Sequence, residues 1–198
     1  MFELAYAALG RPVRGSVGTL ARMVAGKPLA FDPIEEARRQ WDVHGWADAS
    51  AGMAMVTSIM RAHQVLIGRV DRALAGLNLS FARYEVLMLL LFSRRGSLPL
   101  GKVGARLQVH PASVTNVVNR LESDGLLRRL PHPSDGRTTL AEITTEGRRL
   151  AHRATDALNT SVFEGTGLTA RQLDQLFGLL RRLRVTEGDF VDVPVAAK

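Results

Sequence analysis

Residues 111–124, PASVTNVVNRLESD, combine an apolar stripe with an opposite face of short polar side chains. Val114, Val117, Val118 and Leu121 recur at the spacing of one helix face. The opposite face is made of Ala112, Ser113, Thr115, Asn116, Asn119 and Arg120. Ser, Thr and Asn are poor helix formers, so a merely solvated face gains nothing from them, whereas they can hydrogen-bond to base edges in a major groove. This pattern therefore predicts a helix that reads DNA.

A predicted β-hairpin follows this helix. The strand-like runs LLRRLPH and RTTLAEI are joined by the turn sequence PSDG. Such a hairpin is typical of the wing of a winged helix, and Arg137 near its tip is placed to enter a minor groove. Asp135 is close enough in sequence to hold or orient a neighbouring guanidinium. Arg128 and Arg129 alternate faces on the first strand, so at most one of them can aim at DNA from a given side.

The elements before the DNA-reading helix complete a helix-turn-helix. The run LPLGKVGARLQ predicts a short helix, and the following QVH predicts a tight turn. His110 takes the cap position of the next helix and Pro111 its first helical position, while Gly125 ends that helix. The two short helices and the hairpin together predict a winged helix-turn-helix, a mainly α fold with a small β-wing.

Longer helices are predicted on both sides of this unit. Asp32 and Pro33 begin one helix, residues 48–77 form a long second one, and Ser80 caps a third that is apolar almost all round and therefore central. On the C-terminal side, Thr144 or Thr145 caps a long helix. Thr169 and Gln172 form a capping box at the start of the last helix, which carries an apolar stripe.

The charge of the chain favours an acidic polymer as partner. It has 26 Lys and Arg against 19 Asp and Glu, a formal net charge of +7, and a pI of about 10.9. Between residues 94 and 137 eight basic residues face three acidic ones, so the segment carries +5. The excess positive charge is thus concentrated in the predicted DNA-reading part.

Composition also excludes several classes of function. The chain has no cysteine, which removes disulfides, thiolate metal sites and thiol redox sensing. The longest apolar run, VLMLLLF, is far shorter than the ~20 residues of a membrane span, and no secretory signal is evident, so we expect a cytoplasmic protein without membrane contact. The five histidines form no metal pattern, no residue set supports catalysis, and no cofactor is expected.

A ligand pocket is the least determined part of the sequence. Its candidate residues are basic or aromatic, and could line a pocket for an anion or an aromatic molecule; they are Trp41, Trp46, Arg61, His63, Arg83 and Tyr84. The alternative is that the tryptophan pair only packs the N-terminal helix onto its neighbour. The sequence does not separate the two interpretations.

The chain resembles the MarR family of transcription regulators over residues 48–183. The resemblance is carried by LSFARYEVLMLL and by VTNVVNRLE followed in order by GLLRR, HPSDGR and ITTEG. It implies a winged-helix homodimer with interleaved terminal helices, and a pocket for a small anionic or aromatic effector between the dimer interface and each DNA-binding lobe. The chain departs from the family pattern at Gln108, His110 and Gly136, where the family often has Gly, Ser or Thr, and a second wing Arg.

Together these patterns predict a domain order and a function. An N-terminal arm (1–31) precedes N-terminal dimerisation helices (32–79), the winged helix-turn-helix (80–144), C-terminal dimerisation helices (145–185) and a loose tail (186–198). The expected function is that of a transcriptional regulator, a ligand-responsive repressor that binds a pseudo-palindromic DNA duplex as a homodimer. The alternative is a winged-helix module that binds another protein without specific DNA readout, which would require an apolar recognition face.

Overall fold

The computed structural model describes residues 29–107 and 111–192, with the backbone alone for residues 111–113. Most of the predicted N-terminal arm and the predicted cap His110 lie outside these residues. The chain divides into two compact units between Arg72 and Ala73. Within the described residues no single helix is long and apolar enough to span a membrane. Only together do Ala47–Leu77 and Phe81–Leu91, bent by 75° at the break between them, have the length and composition of a span.

The first unit contains helix α1 (Pro33–Val43) and most of helix α2 (Ala47–Leu74). Asp32 caps α1 as predicted, because its carboxylate accepts a 2.9 Å hydrogen bond from the Ile34 backbone N–H. The long helix predicted over residues 48–77 ends slightly earlier, at Leu74. A single tighter turn, Ala75–Leu77, follows, and Asn78 in the left-handed conformation (φ 49°) stops the chain from continuing as a helix.

Helix α3 (Phe81–Leu91) is the centre of the second unit. Ser80 caps it, since the serine hydroxyl accepts from the Arg83 backbone N–H. Val86, Leu87 and Leu90 are fully buried, which confirms the prediction of a central helix. α3 packs against the helix-turn-helix, the wing and the helix that follows the wing.

The helix-turn-helix consists of α4 (Leu100–Leu107) and α5 (Pro111–Ser123), and the wing consists of β2 (Leu127–His132) and β3 (Asp135–Ile143). A third strand, β1 (Ser97–Pro99), pairs with the far end of β3 and gives the sheet order β1-β3-β2. The sequence pattern predicts Leu98 and Pro99 as the start of the α4 helix, and this prediction is wrong. Three residues are too few to show a period of two, and their extended form depends on the edge that β3 offers.

The C-terminal part consists of α6 (Thr145–Leu158), a short π-helix (Asn159–Phe163) and α7 (Ala170–Thr186). Thr144 caps α6 through the Gly147 N–H, and Thr169 with Gln172 forms the predicted capping box of α7. After α7 the chain folds back as far as the structure describes it. Asp192 pairs with Arg181. The centroid of the Phe190 ring lies 5.1 Å from the guanidinium carbon of Arg181 and 5.1 Å from that of Arg184. The described part of the predicted tail is therefore attached to α7 rather than loose.

Candidate nucleic-acid interface

Helix α5 presents two faces of opposite character. Val114, Val118 and Leu121 are buried against α3, α4 and β2, with Val118 and Leu121 fully enclosed. The side chains that point the other way are exposed: Thr115, Asn116, Asn119 and Arg120. The structure places the helix backbone of Ala112 and Ser113 at the start of α5, but their side chains lie outside the described atoms. The exposed face is convex and polar, which suits insertion into a major groove.

The last turn of α5 is joined to the first strand of the wing by a polar cluster. Glu122 accepts a hydrogen bond from the Arg129 backbone N–H at 3.2 Å and forms an ion pair with the Arg129 guanidinium. The same guanidinium donates from Nη2 to Asn119 Oδ1 at 2.6 Å. The sequence did not predict this cluster. It predicted only that Arg128 and Arg129 point to opposite faces of the strand. Arg128 contacts Glu142 instead, at 2.6 Å.

The wing tip is held by Asp135. Its carboxylate accepts hydrogen bonds from the Thr138 hydroxyl at 2.6 Å and from the Arg137 backbone N–H at 3.1 Å. These bonds hold the pKa of Asp135 below its ordinary value, so the carboxylate stays ionised at neutral pH and would lose its acceptor role only in acid. Asp135 thus orients the wing backbone through a hydroxyl and an N–H, rather than through the guanidinium that we predicted.

Arg137 is an exposed cation of the wing, as is Arg128, which pairs with Glu142. The Arg137 side chain is solvent-accessible and has no ion-pair partner among the described residues. A guanidinium without a carboxylate partner remains available for a phosphate or for a narrow minor groove. The exposed α5 face and this free wing cation form the candidate DNA surface.

Four of the six predicted pocket residues lie in the first unit and two in the second. Trp41 and Trp46 meet edge to face with ring centroids 5.2 Å apart, and Trp46 is 55% exposed. Arg61 and His63 are exposed on α2. Arg83 and Tyr84 are buried in the second unit, with partners of their own.

Arg83 connects two turns within the second unit. Its guanidinium donates to the Asn78 carbonyl at 3.0 Å and forms an ion pair with Asp124, just beyond α5. The Tyr84 hydroxyl lies 3.1 Å from Thr155 Oγ1 on α6. The sequence carried no signal for either contact, because the partners lie 41 and 71 residues away. Both side chains therefore support the position of α5 and α6 in the lobe.

Two helices carry large apolar side chains that remain exposed in the single chain. On α2 these are Met55, Val56, Met60, Val65 and Leu66. On α7 they are Leu173, Leu176, Phe177, Leu179 and Leu183. Contiguous exposed apolar surface on a soluble domain marks an interaction surface. Dimerisation through the terminal helices was predicted from their amphipathic pattern. Both helices do carry exposed apolar side chains that a second copy could cover.

Comparison with known proteins assigns the fold to one class. The MarR family model matches residues 79–139. The structure of Sco5413, a MarR family transcriptional regulator from Streptomyces coelicolor, is 47% identical and has a TM-score of 0.65. The match covers 72% of this chain and 99% of that chain.

Two further relatives bear on the activity. Sco3205, a MarR family transcriptional regulator from Streptomyces coelicolor solved in complex with DNA, is 26% identical with a TM-score of 0.60; the match covers 73% of this chain and 91% of that chain. IacR, an HTH-type transcriptional repressor from Pseudomonas putida, is 27% identical over 124 residues, which are 62% of this chain and 72% of that protein. The chain is therefore similar both to a DNA-bound regulator and to a repressor.

Proposed function

The chain belongs to the MarR family of transcriptional regulators, and we propose that it represses its target genes by binding a pseudo-palindromic operator as a homodimer. It acts in the cytoplasm, where the DNA is, and has no catalytic role. The observation that carries this proposal is the exposed face of α5, which offers amide, hydroxyl and guanidinium groups above a fully apolar underside. The two exposed apolar helix faces supply the surface for a second copy.

The proposed site divides into groups that read bases and groups that add charge. The reading groups are Ala112, Ser113, Thr115, Asn116, Asn119 and Arg120. Arg137 approaches the minor groove, held by the turn that Asp135 stabilises. A module that binds protein instead would need an apolar recognition face, and the exposed side chains of α5 are polar.

We expect substitutions in the two groups to have different effects. Asn116→Ala should weaken binding to a selected operator by about 1–3 kcal/mol and relax its sequence preference, because an amide contact to a base edge is lost. Arg137→Ala should weaken binding to all duplexes evenly and flatten the salt dependence, because one phosphate-directed charge is lost. Affinity is measured on operator and scrambled duplexes from low to high salt. A change of base preference in Arg137→Ala but not in Asn116→Ala would reverse the assigned roles.

We also propose that a small anionic or aromatic effector releases the protein from DNA. The first unit supplies an aromatic pair and two exposed basic side chains to this predicted pocket: Trp41, Trp46, Arg61 and His63. Arg83 and Tyr84 already have partners, so they would take part only by exchanging them. A ligand can shift the protein only by its difference in affinity for the DNA-binding and non-binding forms.

Release by salicylate-like anions tests this part. We expect such an anion to lower operator affinity by about 5–150-fold in the unmodified protein, the usual range of coupling between two sites. Trp46→Ala should need a higher anion concentration for the same release. Phe92→Ala removes another strongly exposed aromatic ring, in the second unit, and should respond like the unmodified protein. An unchanged anion response in Trp46→Ala would remove Trp46 from the pocket.

A further inference from the structure

We propose that Arg129, a wing-strand residue, determines which bases Asn119 can read; the inference rests on the proposed DNA-binding function. Asn119 lies on the exposed face of α5, and its amide oxygen is 2.6 Å from Arg129 Nη2. Arg129 acts here as a positioning residue, since its role is exerted through Asn119 and not through its own contact with a base.

The position of Arg129 is itself fixed by two contacts with Glu122. The carboxylate accepts from the Arg129 backbone N–H with one oxygen and pairs with the guanidinium through the other. Glu122 follows the fully buried Leu121, and Arg129 lies two residues after the buried Leu127. The arginine side chain is 29% exposed. An arginine held by Glu122 at its backbone N–H and at one guanidinium nitrogen, and largely covered by protein, loses little further freedom when its other guanidinium nitrogen holds the asparagine amide.

The bond to Arg129 gives the Asn119 amide a direction. A free asparagine pairs with adenine by accepting from N6–H and donating to N7, which uses both ends of the amide. With its oxygen held toward β2, the amide is left with its two N–H donors for the groove. Donors fit both acceptors of guanine, O6 and N7, whereas thymine O4 and adenine N7 offer one acceptor each and the amino group of cytosine offers none.

This geometry leads to a definite preference. One position in each half-site should be guanine in the sequences that the unmodified protein selects, because only guanine accepts two bonds from the amide donors. Releasing the amide oxygen should allow the two-bond pairing with adenine, so the frequency of adenine at that position should rise. Affinity for adenine relative to guanine should increase by about 5-fold or more, the lower end of the discrimination that a base-reading amide provides.

Selection from a random DNA pool with four proteins tests this. They are the unmodified chain, Arg129→Met, Glu122→Gln and Arg128→Met. Arg128→Met is the matched control, because it removes the same charge from the adjacent position of the same strand, where the arginine contacts Glu142 and not Asn119. We expect the adenine shift in Arg129→Met and, to a smaller degree, in Glu122→Gln, and no shift at this position in Arg128→Met. In an Asn119→Ala background, Arg129→Met should change nothing further at this position.

The outcomes separate this inference from the proposed function. If the unmodified protein enriches no sequence, specific DNA binding itself is wrong. If it enriches an operator but Arg129→Met selects the same base at every position, or if Arg128→Met produces the same shift, the role of Arg129 is wrong. Circular dichroism checks that each variant folds. Should Arg129→Met fail to fold, Glu122→Gln decides the question, and unchanged selection by that variant overturns the inference.

Discussion

Phe177→Glu should convert the dimer into monomers and lower affinity for a two-half-site operator by about 100-fold or more. Phe177 is 65% exposed in the single chain and lies among the exposed leucines of α7, so a charge there would have to be buried between two copies. Loss of the second DNA-binding lobe removes the gain that linking two binding sites provides, about 10²–10⁴-fold. Light scattering measures the mass, and titration of a labelled operator measures the affinity.

The control for this experiment is Gln175→Glu, which adds the same charge to a polar position of the same helix. We expect it to remain dimeric and to bind the operator as the unmodified protein does. Because Phe177 contributes little to the interior of the single chain, the monomeric variant should keep its helical circular dichroism spectrum. A dimer of unchanged affinity carrying glutamate at position 177 would show that the α7 face is not the interface.

Gly147→Ala should destabilise the folded protein by about 3 kcal/mol, although alanine is normally the better helix former. A Cβ atom at position 147 would lie 2.0 Å from the Leu126 carbonyl oxygen and 2.9 Å from Ile143 Cγ1. The carbonyl belongs to the backbone and accepts from the Thr144 N–H, so it cannot move away without loss of that hydrogen bond. Overpacking of this kind costs about 1–3 kcal/mol, and a backbone contact belongs at the upper end.

The matched substitution is Gly101→Ala in α4, where an added Cβ meets nothing within 4 Å. It should leave stability unchanged or raise it by up to about 1 kcal/mol. Urea unfolding of both variants, at a protein concentration where each is dimeric, gives the comparison. Equal stability of the two variants would mean that α6 and the turn before β2 do not approach as closely as the structure shows.

Local chemistry was enough to predict most helix boundaries. Asp32, Ser80, Thr144 and Thr169 each cap the helix that they precede, because a cap depends on residues two or three positions away. The buried stripe of α5 and the paired strands of the wing likewise follow from short-range periodicity. Local sequence patterns are therefore enough to predict which helix and which hairpin form the candidate DNA surface.

Contacts between distant segments could not be predicted in the same way. Strand β1 exists because β3 offers it an edge, and Arg83 is buried because Asp124, 41 residues later, accepts its charge. The Arg83 and Tyr84 side chains looked suited to a ligand pocket, since basic and aromatic residues have the same sequence pattern whether they face a ligand or a structural partner. The link from Arg129 to Asn119 depends on how the wing folds back on α5.

Joint reading of one DNA duplex by two copies of the α5 face is the core of the proposed function. Its most direct test is selection from a pool of random duplexes with the purified chain, followed by sequencing of the bound fraction. We expect an inverted repeat whose half-site centres are about 10 base pairs, one helical turn, apart. Enrichment of no sequence, or of a single half-site without its inverted copy, would contradict the account.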